Sequence, residues 1–176
     1  TLTITRAEQA INFPDPGPQW TTNLVGLSAT ADSGLPVAFS VASGPGVIYG
    51  VTNLSFTGSG VVSVVASQAG NSNHAPAFVT NTMEVAKAAA SVILTNMTQT
   101  YDGTARLAGY ATVPSGLSVL LTYNGSATAP VNAGSYAVTG TVNDALYQGA
   151  SAGELVVSKA GQAVSFPDLQ PRLTNA

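Results

Sequence analysis

Ser33-Gly-Leu-Pro-Val-Ala-Phe-Ser-Val41 opens on a turn dipeptide and then sets Leu35, Val37, Phe39 and Val41 at every second position. That spacing places all four on one face of a pleated strand and leaves Pro36, Ala38 and Ser40 on the other. The same arrangement returns at Ser115-Gly-Leu-Ser-Val-Leu-Leu-Thr-Tyr123, with Leu117, Val119, Leu121 and Tyr123 in phase. Gly60-Val-Val-Ser-Val-Val-Ala-Ser67 is answered in turn by Gly134-Ser-Tyr-Ala-Val-Thr-Gly-Thr141. Two alternating strands repeated in the same order imply two units of one design, and strands of this kind close into sandwiches.

Turn chemistry punctuates both units: Pro14-Asp-Pro-Gly17, Asp32-Ser-Gly34, Ser43-Gly-Pro-Gly46, Thr57-Gly-Ser-Gly60, Asp102-Gly103, Pro114-Ser-Gly116 and Asn124-Gly125. Asn124-Gly125 between β-like runs predicts a type I′ hairpin turn, because that turn needs positive φ at both central residues. Asp102 and Asp144 are read as carboxylates that tie their own turns. A 3.6-residue apolar stripe is nowhere convincing, and the one helix-friendly stretch is Lys87-Ala-Ala-Ala90. The fold class expected is all-β, two tandem immunoglobulin-like sandwiches of about seven strands each with short linkers.

The boundaries come from a longer period. Ile4-Thr-Arg-Ala7, Val85-Ala-Lys-Ala88 and Val157-Ser-Lys-Ala160 each end a β-like run on a basic residue and Ala, with 81 and then 72 residues between the basic positions. Each interval is the size of a small sandwich domain. Residues 1–5 read as the last strand of a preceding repeat, 6–86 as one repeat, 87–158 as a second, and 159–176 as the first strand of a third. ITRAEQAINFPDPGPQ from Ile4 and VSKAGQAVSFPDLQP from Val157 are therefore the same line, written at the opening of the first repeat and again at the opening of the third. Val164, Phe166 and Leu169 then have no core of their own. They are expected to fray or to add to a sheet edge in the same or an identical chain. The first residue, Thr1, suits a piece of a larger protein.

Composition narrows the function. Only 7% of the 176 residues are charged, and the formal net charge is −3, with Arg6, Lys87, Arg106, Lys159 and Arg172 scattered singly. Without a basic stripe to neutralise phosphates, nucleic acid is an unsuitable partner. No apolar run approaches the roughly 18 residues of a membrane helix, so membrane insertion is not expected. The absence of cysteine removes disulfides, thiolate metal sites and a cysteine nucleophile together. Low charge with abundant Thr, Ser, Asn and Gly points to an extracellular setting, the bacterial cell surface or a secreted protein.

Tyr101-Asp-Gly-Thr-Ala105, Pro114-Ser-Gly-Leu-Ser-Val119, Thr122-Tyr-Asn-Gly125, Ala129-Pro-Val-Asn-Ala-Gly-Ser-Tyr136, Val142-Asn-Asp144 and Leu155-Val-Val-Ser-Lys-Ala160 resemble the MBG-type immunoglobulin-like repeats of large bacterial surface and secreted proteins. Ile11-Asn-Phe-Pro14, Gly26-Leu-Ser-Ala-Thr-Ala31, Leu54-Ser-Phe-Thr-Gly58 and Val64-Val-Ala-Ser-Gln-Ala-Gly70 resemble a related immunoglobulin-like repeat. The resemblance implies a stalk or spacer with no catalytic residues and no cofactor to carry over. His74 stands where such repeats often have an aromatic, as Tyr147 does in the second unit.

The chemistry-bearing residues agree with that implication. A single histidine, His74, cannot form a metal cluster, and no His-Glu-x-x-His, Gly-x-Ser-x-Gly or Walker pattern occurs. Calcium at the joint between units would draw on Glu84 or Asp102, but the sequence has no Asp-x-Asp-x-Asp-Gly run. Lys87 and Lys159 are placed for an isopeptide bond, yet Arg6 at the matching position cannot form one, and a surface role is the expectation. No enzyme, metal or cofactor is expected. Trp20, Tyr49, Tyr101 and Tyr110 are the candidate interaction residues, since a row of exposed rings would bind glycans and single rings would fill a core or joint. The Pro-rich stretch from Pro14 is read as a stiff link. Beside the spacer stand two alternatives: a filament subunit assembling by strand complementation, and a carbohydrate-binding or adhesion module.

Overall fold

The computed structural model describes residues 3–167, all of them in strands, turns and loops. The first unit holds β1 (Ile11–Asn12), β2 (Gln19–Trp20), β3 (Val25–Gly26), β4 (Thr30–Ala31), β5 (Ala38–Ser43), β6 (Gly46–Tyr49), β7 (Asn53–Phe56), β8 (Gly60–Gln68) and β9 (Ala77–Ala86). One sheet has the order β2-β9-β8-β5 and another β3-β7-β6, while β1 pairs with β4. Buried residues from all of them meet in a single cluster: Ile11 and Phe13 beside β1 and β4, Leu54 and Phe56 on β7, Val62, Val64 and Ala66 on β8, Met83 and Val85 on β9. A core fed by two sheets is a sandwich, and the parallel pairing of β2 with β9 beside antiparallel β9-β8-β5 follows the immunoglobulin pattern.

The alternation read from sequence is the alternation of burial. Leu35, Val37, Phe39 and Val41 are half-buried between exposed neighbours, and Val62, Val64 and Ala66 are fully buried at every second position of β8. At roughly 1.5–3 kcal/mol for each large apolar side chain removed from water, this periodic stripe is the main favourable term holding the sheets together.

The second unit holds β10 (Ala88–Ala89), β11 (Ser91–Thr95), β12 (Thr98–Thr100), β13 (Gly109–Val113), β14 (Val119–Tyr123), β15 (Gly134–Val142), β16 (Tyr147–Gln148) and β17 (Ala150–Ser158). Its main sheet, β12-β17-β15-β14, reproduces the β2-β9-β8-β5 sheet of the first unit, including the parallel pairing at one edge. Opposite it stands only the pair β11-β13. Ala108, Tyr123, Val138, Leu155 and Val157 form its core, and none of them belongs to the first cluster. Tyr123 carries its hydroxyl into that core and satisfies it there, accepting the Ala108 N–H at 3.0 Å.

Several expectations are corrected. The second unit does not follow the plan of the first throughout: the β6-β7 hairpin has no counterpart, and the chain passes from β14 to β15 through residues 124–133. Loss of that hairpin accounts for the shorter second interval. Asn124 and Gly125 do form the tight turn, with φ of 49° and 83° and a bridge from Tyr123 to Ser126. Ladder pairing ends at that bridge, however, and β14 pairs with β15 farther on, Tyr123 facing Val138. Lys87-Ala-Ala-Ala90 contains strand β10, paired in parallel with β16, rather than any helix. The Pro-rich stretch is not a link between units but the crossing from β1, which pairs with β4, to β2, which pairs with β9. Residues 3–6 and 159–167 contain no strand. Val164 and Phe166 lie exposed, and Leu169 lies outside the described residues.

Candidate functional site

A single residue, Lys87, separates β9 of the first unit from β10 of the second. The space around it is closed by Thr21, which is only 3% exposed although it follows the surface residue Trp20. Parallel pairing of β2 with the end of β9 delivers Thr21 there, and its N–H donates to the Ala86 carbonyl at 2.9 Å. Its hydroxyl then reaches the second unit twice. It accepts the Ala88 N–H at 3.1 Å and donates to the carbonyl of Leu146. Lys87 Nζ donates to the Asp144 carbonyl at 2.5 Å, and Asp144 Oδ1 accepts the N–H groups of Leu146 and Tyr147 at 2.7 and 3.0 Å. The joint is thus a hydrogen-bonded knot of Thr21, Lys87, Ala88, Asp144 and Leu146. Each bond contributes on the order of 1 kcal/mol net, and the geometry they share leaves the one-residue connection little slack.

The far end of the second unit has the same construction. Tyr101 N–H donates to the Ser158 carbonyl at 2.8 Å, as Thr21 does to Ala86. Gln99 Nε2 donates to the Asn96 carbonyl at 2.9 Å, as Gln19 Nε2 does to Pro16 at 2.8 Å. Tyr101 therefore occupies the position of Thr21, and an open cavity of about 630 Å³ lies there, lined by Tyr101, Ala133, Lys159, Ala160 and Gln162.

Residues 90–161 match the family model of the MBG domain. The MBG match takes in β11 to β17 of the unit whose motifs carry that resemblance and runs three residues past its end; the first unit falls outside it. No curated protein matches the chain. Among solved structures, Drosophila N-cadherin EC1-4 aligns at 9% identity and a TM-score of 0.38, covering 89% of this chain and 50% of that one. The fibronectin(III)-like modules of Clostridium thermocellum CbhA align at 14% identity and a TM-score of 0.34, covering 90% and 100%. The titin domains z1z2, solved in complex with telethonin, align at 17% identity and a TM-score of 0.32, covering 90% and 100%. The chain thus spans half the length of the N-cadherin chain.

The candidate aromatics are dispersed. Trp20 lies on β2 and Tyr49 on β6 of the first unit, while Tyr110 lies on β13 and Tyr101 just past β12 in the MBG unit. All four are exposed, and the only ring pair among the described residues is Phe13 with Phe39 in the first core, 5.4 Å between centroids. His74 does take the place of Tyr147: it bridges Ala7 in parallel, as Tyr147 pairs with Ala88. Its Nδ1 is buried without a hydrogen-bond partner among the described residues. Glu84 sits on β9 and Asp102 pairs with Arg106, and no three acid or His side chains gather as a metal site among the described residues.

Sequence reasoning missed Thr21. Its signal was weak: a Thr-Thr pair after Trp20 in a Thr-rich chain, with nothing local to distinguish Thr21 from Thr22. Lys87 also departs from the expected surface role, since it is half-buried and its ammonium is spent on the Asp144 loop.

Proposed function

We propose that the chain is a spacer, a β-sandwich repeat module that sets distance and direction within a large extracellular bacterial surface or secreted protein, and that it performs no catalysis. The joint at Thr21 carries this reading. Two cores that share no buried residue are connected through one residue and pinned by Thr21, whose N–H bonds to Ala86 of the first unit and whose hydroxyl bonds twice to the second. A spacer needs such a joint, because a freely hinged connection would shorten and randomise its reach. The longest strands run nine or ten residues, giving each unit roughly 30 Å of length at about 3.3 Å per residue. A surface low in charge and rich in Thr and Ser, and a chain without cysteine, suit the extracellular setting. The dispersed positions of Trp20, Tyr49, Tyr101 and Tyr110 favour this reading over a glycan platform, which needs rings in a row.

The test uses the absence of native cysteine. Spin labels on cysteines introduced at the exposed positions Thr80 and Ser135, one in each unit, should give one narrow distance distribution. A broad distribution, spreading over tens of ångströms, would show a hinge and remove the spacer reading.

A further inference from the structure

β6 departs from the alternation of a strand with one wet face. Val47, Ile48 and Tyr49 are consecutive and apolar, where such a strand sets polar residues between its core residues. Ile48 takes the inward position, packed against the first core and opposite Leu54. Val47 and Tyr49 therefore face outward, opposite Ser55 and Asn53 of β7. On the other side of β7, Val25 pairs with the inward Leu54 and Gly26 with Asn53, so Leu24 extends the same outward row beyond Ser55. Leu24, Val47 and Tyr49 are 67%, 37% and 59% exposed, and Val51 in the turn after β6 is exposed as well. The outer face of β3-β7-β6 is thus a shallow furrow of small or polar residues along β7, with Leu24 rising on one side and Val47 and Tyr49 on the other.

None of these residues is charged. The neighbouring sheet differs: on β9, Glu84 alternates with the buried Met83 and Val85 and shares the outward side with exposed Phe78. Charge decides which face can meet its own image, because a two-fold contact sets the same patch of both copies together. A face with a carboxylate would bring two like charges into one desolvated layer, whereas the β3-β7-β6 face brings none. Its apolar side chains and the furrow between them expose on the order of 500 Å², and two such faces would bury about 1,000 Å², the scale of a weak, reversible contact.

We propose that the first units of two copies associate through this face, about a two-fold axis that runs along the furrow and sets Leu24 of each copy against Val47 and Tyr49 of the other. The contact is isologous and closes at two copies. The MBG unit lacks a counterpart of the β6-β7 hairpin and takes no part in it. The outcome is a side-by-side pairing of chains, which goes beyond the spacer reading, since that reading needs only one chain.

Sedimentation equilibrium of the full chain, from micromolar to millimolar concentration, should show monomer giving way to dimer and to nothing larger. Y49D places a carboxylate beside its own image and should raise the dissociation constant at least tenfold. F78D puts an equal charge on the outer face of the other sheet and should leave that constant within twofold of the parent. Both positions are exposed, so neither change touches a core. Monomer at every concentration, growth past the dimer, or equal losses in Y49D and F78D would overturn the proposal. Monomer throughout with Tyr49-dependent binding on a glycan array would give the face to a sugar and overturn it likewise. Spin labels at Thr80 and Ser135 lie off this face and report on a single chain, so the spacer reading and the pairing fail separately.

Discussion

The hydroxyl of Thr21 donates to the carbonyl of Leu146, a residue 125 positions away in the other unit, while accepting the N–H of Ala88. One buried side chain thus serves as both donor and acceptor across the joint, a role that a methyl group cannot fill.

Replacing Thr21 with Val should therefore loosen the joint while keeping its shape. The loss is about 1 kcal/mol of local stability, because the Ala88 N–H keeps its second partner, the Leu146 carbonyl at 2.9 Å. The measurement is the inter-unit distance distribution, which should broaden in T21V while the thermal unfolding of each unit moves little. An unchanged width would show that Lys87 and backbone pairing alone set the angle.

Leu155 is fully buried in the smaller core. L155A removes its packing from the MBG unit and should destabilise it by roughly 2–5 kcal/mol. Trp20, the only tryptophan, reports on the first unit. In urea, the main far-ultraviolet transition should split: one part moves to lower denaturant and the Trp20 fluorescence midpoint stays near that of the parent. Coincident shifts of both signals would reveal one cooperative unit.

Gly125 holds a φ of 83° in the tight turn after β14. G125A forces a side chain into that region and should cost about 1 kcal/mol, seen as a lower unfolding midpoint for the MBG unit with an unchanged m-value. G34A should behave likewise in the first unit, where φ is 73° and a Cβ would meet open space, so that backbone strain acts without a clash.

Gly149 is a different case, one of space. A Cβ there would run into the Ala90 carbonyl oxygen and the backbone beneath it. G149A should push β16 off β10, and with it the Tyr147 end of the loop that meets Thr21. Hydrogen exchange at Ala88 and Ala90, whose N–H groups bond to Leu146 and Gln148, should accelerate by tenfold or more. Protection equal to the parent would show that the pairing tolerates the extra atom.

The central β8 and β15 strands were readable because their partners are generic. Any apolar residue at every second position of Gly60–Gln68 finds a core, whichever strand lies opposite. Asn124-Gly125 was readable because a turn is settled by its own φ angles, but the strand that returns from it was not. After Ser126 the chain wanders for several residues before β15, and register is a contact between distant segments. The missing β6-β7 counterpart was hidden for the same reason: the second unit retains the phase of its main sheet and loses an element whose partners lie elsewhere. His74 and Tyr147 correspond across the repeat because each follows a short polar turn after the central strand and pairs in parallel with the Ala that opens its unit.

The sequence by itself determined the pleated character of the chain, the two-fold repetition of strands and the poverty of polar chemistry, since periodicity, spacing and composition are local quantities that each segment carries with it. Tertiary structure decided that Thr21 rather than its neighbour pins the joint and that Lys87 points inward to the Asp144 loop. Those outcomes depend on which distant backbone groups arrive beside a side chain. A hydroxyl acquires its meaning only when a carbonyl from the other unit comes within reach.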